Sequence, residues 1–108
     1  MTEPMIRQLA TYQVRLAAVD RVLSAIREFV AYVQASEPDT LRYEAWQEKG
    51  DPTRFTHVFV FRDADAEEKH SQSEAVKTFS GILYPECLAP VRFVDFELVA
   101  TNRPPGRI

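Results

Sequence analysis

The sequence contains one cysteine, Cys87, among 108 residues. No intramolecular disulfide can form, and zinc sites built on cysteine pairs are excluded. Glycine is nearly as scarce, with three residues and no glycine-rich loop to cradle a phosphate. The only histidines are His57 and His70, and neither zinc spacing nor a Ser-His-Asp order is visible. No apolar run approaches the ~18 residues that span a bilayer. Lys and Arg number 13 against 16 Asp and Glu, a formal charge of -3, and the sequence pI is about 5.4. Nucleic-acid binders carry a basic stripe, and no Lys/Arg cluster interleaved with aromatics is present. Met1-Thr2-Glu3-Pro4 lacks the basic start and apolar run of a secretory signal. These deficits predict a protein that binds neither nucleic acid nor membrane and works in the reducing cytoplasm.

What is present fits one domain, residues 1–100, followed by a polar, proline-rich tail, 101–108. Ile6 to Leu16 reads as a strand, with Thr11, Tyr12 and Val14 favouring extended backbone. Asp20 is placed to cap a helix whose Val22, Leu23, Ile26, Phe29, Val30 and Val33 form one apolar stripe. Pro38 ends it by pushing Glu37 out of the α region. Leu41–Gln47 and Phe55–Phe61 read as a hairpin joined by the turn formers of 48–53. Asp65 with Glu68, and Ser71 with Glu74, resemble capping boxes for two short helices. Val76, Phe79 and Leu83 share one side of the second. Val91–Val99 is the last strand.

The order β-α-β-β-α-β is that of a ferredoxin-like α+β fold, with an antiparallel sheet and both helical segments on one face. The other face is not polar. Val58 and Val60 alternate against Phe55, His57, Phe59 and Phe61, and Phe93 alternates against Val94, Phe96 and Leu98. A sheet with one wet face alternates apolar with polar residues. A second copy is the expected cover, the two sheets pairing as a homodimeric α/β barrel.

Three segments carry a family resemblance: Leu41-Arg42-Tyr43-Glu44 with Asp51-Pro52-Thr53-Arg54-Phe55, then Val58-Phe59-Val60-Phe61-Arg62-Asp63, then Glu67-Glu68-Lys69-His70-Ser71-Gln72-Ser73. In order and spacing they resemble the antibiotic biosynthesis monooxygenase family over about Ile6 to Val99. The resemblance implies a ligand cavity between helices and sheet in each subunit. It also implies a range of activities: cofactor-independent oxygenation of anthrones and quinols, haem degradation and metabolite isomerisation. Fold alone does not choose among them.

In the anthrone-oxidising members an Asn and a Trp stand on the third strand at positions that match His57 and Phe61. The match makes His57 the candidate catalytic residue. A histidine among phenylalanines stays neutral near pH 7 and can take a proton from a bound phenol or quinol, leaving an anion that reacts with oxygen. The competing reading is a satisfied core histidine. Phe61 lacks the indole N–H of the family Trp but can still form an apolar wall. Glu67 and Gly81 stand near family Tyr and Arg positions that are not preserved. His70 matches a common family histidine and either lines the pocket mouth or caps the C-terminal end of its short helix. Phe59, Phe79, Leu83 and Tyr43 complete the candidate substrate-binding set. Tyr12 and Trp46 read as core or interface. The haem-binding histidine of the family aligns near Ser80, which cannot replace it. No cofactor and no metal are therefore expected, and the expected partners are a second copy and a small apolar or aromatic metabolite. The leading functional expectation is oxidation of a small aromatic quinol or polyketide-like metabolite with O2. The alternatives are a non-enzymatic ligand-binding or stress-response barrel, and an isomerase using the same histidine.

Overall fold

A computed structural model describes residues 5–104. Both the opening residues read for a signal, 1–4, and the end of the tail, 105–108, lie outside the described residues. Four strands, β1 (Ile6–Gln13), β2 (Thr40–Gln47), β3 (Arg54–Phe61) and β4 (Arg92–Phe96), form one antiparallel sheet in the order β2-β3-β1-β4. Three helices, α1 (Val19–Ser36), α2 (Ala64–Ser71) and α3 (Glu74–Leu83), complete the ferredoxin-like α+β architecture.

The apolar stripe of α1 is the main wall of the core. Val22, Ile26, Phe29 and Val33 are buried, Ala25 joins them, and Leu23 and Val30 pack at the margin. From the sheet, Tyr12 and Phe55 meet this wall, joined by Val14 just beyond β1, and Phe79 and Leu83 of α3 close it. At ~1.5–3 kcal/mol per fully buried large side chain, such faces rather than helix propensity hold the helices in place.

Several local readings are corrected. β1 ends at Gln13 instead of Leu16, because Leu16–Ala18 coils into a single 3-10 turn leading into α1. That turn already engages the helix entry: the Ala18 N–H donates to the Arg15 carbonyl and the Val19 N–H to that of Leu16. Asp20 therefore lies in the first turn of α1 and caps nothing. Asp63, not Asp65, caps α2, accepting from the Ala66 N–H at 2.9 Å. Ser73, not Ser71, caps α3, accepting from the Val76 N–H at 3.1 Å. Ser71 is the last residue of α2 and its hydroxyl donates back to the Glu67 carbonyl. In each case the cap is the residue whose extended backbone lets its side chain turn onto the N–H three positions on. β4 is also shorter than expected, five residues instead of Val91–Val99.

The start of α1 is tied to the 3-10 turn Tyr84–Glu86 that follows α3. Glu86 is buried and receives two hydrogen bonds from Arg15, at 2.7 and 3.0 Å, and a third from Arg21. The Arg15 hydrogen bond holds its carboxyl below the usual carboxylate range. This clamp lets a carboxylate sit inside the fold, since each buried oxygen meets a guanidinium.

Candidate active site

Strand pairing builds the site. β3 lies between β1 and β2, with Ala10 opposite His57 on one side and Ala45 opposite it on the other. The two alanines leave room around the imidazole. Tyr12 and Tyr43, two positions along on those strands, share its face and reach across to it. The Tyr12 hydroxyl lies 2.7 Å from His57 Nε2, and the Tyr43 hydroxyl 2.9 Å from Nδ1. The ring is 1 % exposed, and Phe79 stacks on it with centroids 5.9 Å apart.

This arrangement fixes the protonation states. Burial pushes the His57 imidazole down to about 4 and raises both phenols above their ordinary value. At neutral pH the ring is neutral, with one N–H and one lone pair. One tyrosine must donate to that lone pair. The other accepts from the N–H, so its own hydroxyl hydrogen points elsewhere. The cradle thus offers one hydroxyl donor and one hydroxyl oxygen backed by a ring nitrogen.

Against this wall lies a cavity of about 280 Å³ between helices and sheet. His57, Tyr43, Phe59, His70, Phe79 and Leu83 all line it. Phe61 does not. It lies at the end of β3 in a separate cluster with Ala10, Phe59 and Ala66, packed behind Phe59 and against the His70 ring. Its position beneath α2 makes it core instead of the expected cavity wall. Tyr12, read from the sequence as core or interface, lines the cavity as well as being buried. Ser80 lines it from α3.

His70 occupies the last turn of α2, but its side chain caps no helix end. Its Nδ1 lies 2.7 Å from Glu37 Oε1, at the residue that closes α1. The Thr40 hydroxyl donates to the same oxygen at 2.8 Å. Glu37 Oε2 is buried without a hydrogen-bond partner among the described residues. Sequence reasoning missed Glu37 because its link to His70 spans the whole hairpin.

A helical layer over an antiparallel sheet, with a cavity between them, is the layout that the three sequence segments implied. A family model described as antibiotic biosynthesis monooxygenase matches residues 5–81. The chain belongs to the antibiotic biosynthesis monooxygenase family. Among solved structures, an antibiotic biosynthesis monooxygenase is 22% identical, aligned over 88% of this chain and 99% of its own, with a TM-score of 0.81. A candidate member from Caulobacter crescentus CB15 is 20% identical over 91% and 92% of the two chains, with a TM-score of 0.83. Another from Nitrosomonas europaea is 17% identical over 92% and 94%, also at 0.83. At these identities the likeness shows the fold. No curated protein sequence gives a significant match. Among the described residues, no helix is long and apolar enough to cross a membrane.

Proposed function

We propose that this family member is a cofactor-independent monooxygenase acting on a small aromatic quinol or polyketide-like phenol. The Tyr12–His57–Tyr43 cradle at the cavity wall carries the reading. Both imidazole nitrogens are occupied, so a substrate proton reaches His57 through a tyrosine. The substrate hydroxyl donates to the phenol oxygen whose own hydrogen passes to the ring nitrogen. That same tyrosine, now carrying the substrate's proton, donates it as a hydrogen bond to the oxygen left negative. Phe59, Phe79 and Leu83 keep this charge away from water, which strengthens the hydrogen bond.

Loss of the proton leaves an electron-rich aromatic anion. It passes one electron to O2, and the resulting radical pair joins through a new C–O bond as a carbon-bound peroxide anion, which takes back the proton held at His57 to become the hydroperoxide. Loss of the hydrogen on that carbon, with cleavage of the O–O bond, gives the quinone carbonyl and one water. O2 is the oxidant, and one of its atoms stays on the product.

The second face of the sheet supports a homodimer. Leu9, Val58, Val60, Phe96 and Leu98 line a shallow groove there, with Arg7 and Arg42 at its rim. Phe96 is 52 % exposed and Trp46, on the outer strand, 59 %. An apolar sheet face of this kind fits a second copy of the same face.

Oxygen uptake by metal-free protein against a panel of quinols and anthrones tests the proposal. Uptake that fails in His57→Ala is the expected result. Saturable binding of the same compounds with no uptake favours a non-enzymatic ligand-binding barrel. One observation already favours that second reading: the cradle is fully satisfied within the protein, as a structural histidine would be.

A further inference from the structure

The cavity has a second polar pole that the cradle does not use. His70 lines the same cavity, and its Nδ1 is committed to Glu37. Nε2, on the other side of the ring, has no hydrogen-bond partner among the described residues. Tyr43 stands between the poles, its ring 5.6 Å from His57 and 5.8 Å from His70. Phe59 stacks on Tyr43 at 5.1 Å, and Phe29 stacks on Phe79 at 5.0 Å. The space is therefore lined by aromatic rings and holds two imidazoles, each packed on Tyr43.

Glu37 explains why His70 is set this way. A carboxylate accepting from Nδ1–H fixes the ring's orientation and leaves Nε2 as its remaining hydrogen-bonding nitrogen. Thr40 holds the same carboxyl oxygen. A buried carboxyl oxygen with no partner is costly and calls for a reason other than stability. Orienting a cavity-facing imidazole is such a reason.

We propose that His70, positioned by Glu37, is a specificity-determining residue whose Nε2 hydrogen-bonds a second oxygen of the ligand, so that the cavity selects aromatic rings bearing two hydroxyls. This rests on the cavity being the substrate site. Its volume, about 280 Å³, lies at the small end for ligand sites and suits one or two fused rings. A site built to pair a hydroxyl rejects the analogue lacking it, because its own polar group is then left unpaired.

The test is anaerobic calorimetric binding of 1,4-dihydroxynaphthalene and 1-naphthol to the full chain, so that no turnover intervenes. Wild type is expected to prefer the diol by about tenfold or more, the worth of one good hydrogen bond. His70→Phe should erase that preference, read as the ratio of the two affinities, and His70→Gln should restore part of it. Glu37→Gln should weaken the preference without touching 1-naphthol. Equal binding of the two compounds by wild type overturns the proposal, as does a preference that survives His70→Phe. Should His70→Phe fail to fold by circular dichroism, His70→Gln and Glu37→Gln decide alone, and an undiminished preference in both overturns it. The readout is independent of oxygen chemistry: binding preference without oxygen uptake would sink the oxygenase and leave the second pole standing.

Discussion

Replacing Tyr12 with Phe removes one oxygen atom and leaves His57 Nε2 buried without a partner. The expected cost is ~1–3 kcal/mol in denaturant titration, and Tyr43→Phe should behave alike at Nδ1. A stability unchanged in both would mean the cradle is not formed. His57 also links stability to pH. Folding lowers its pKa from 6.5 to about 4, so between these values the unfolded chain binds the extra proton. Stability from this source is complete above about pH 6.5 and is lost as pH falls toward 4, by on the order of 3 kcal/mol. His57→Asn should flatten that part of the profile when unfolding is followed from pH 7.5 to 4. Activity should have its acid limb near pH 4 instead of near an ordinary histidine value. At this scale much of the site was legible. Period two on β3 placed His57 beside Phe59, and the family resemblance placed both on the helix side. Tyr12 and Glu37 were not legible, because each meets its histidine only through strand or helix pairing that no local pattern encodes. Phe61 shows the converse: its parity was right, but parity says nothing of depth along a strand.

The helix starts show what sequence signals at element scale can and cannot fix. Aspartate and serine are frequent around 63–74, and several spacings look like caps; only backbone geometry chooses. Asp63→Ala and Ser73→Ala should each cost ~0.5–2 kcal/mol. Asp65→Ala should stay within about half a kcal/mol, since Asp65 is exposed and does not cap; a larger loss there would reverse the cap assignment. The longer patterns were more reliable. The α1 stripe runs over about three turns, enough for its period to outweigh any single residue, and its buried set is nearly the one its spacing predicts. Phe29 is the most consequential member, packing on Phe79, Tyr43 and His70 together. Phe29→Ala should cost ~3–5 kcal/mol and widen the cavity as well as weaken the core. Strand ends were the least legible, because β1 and β4 stop where pairing stops and not where apolar alternation does.

For the molecule as a whole, light scattering at micromolar concentration should give twice the 12.4 kDa chain mass. Phe96→Asp should halve it while leaving the helical signal intact, because Phe96 lies on the groove face, away from the α1 core. A wild-type monomer would remove the barrel and leave an exposed apolar sheet to explain. The sheet order has a different consequence, one of timing. β1 is the earliest described strand and sits in the interior of the sheet, yet both its neighbours, β3 and β4, come later, with Arg7 pairing to Phe96. Only the β2–β3 hairpin joins strands close in sequence. During synthesis one edge of this strand must therefore wait unpaired until β4, the last described element, leaves the ribosome. Distant pairings of this kind are slow to form and leave edges open to wrong partners. A chain stalled before residue 92 would hold the three strands that make the Tyr12–His57–Tyr43 cradle but expose one whole side of β1. Such a nascent chain should be a target for chaperones even where the finished protein is not.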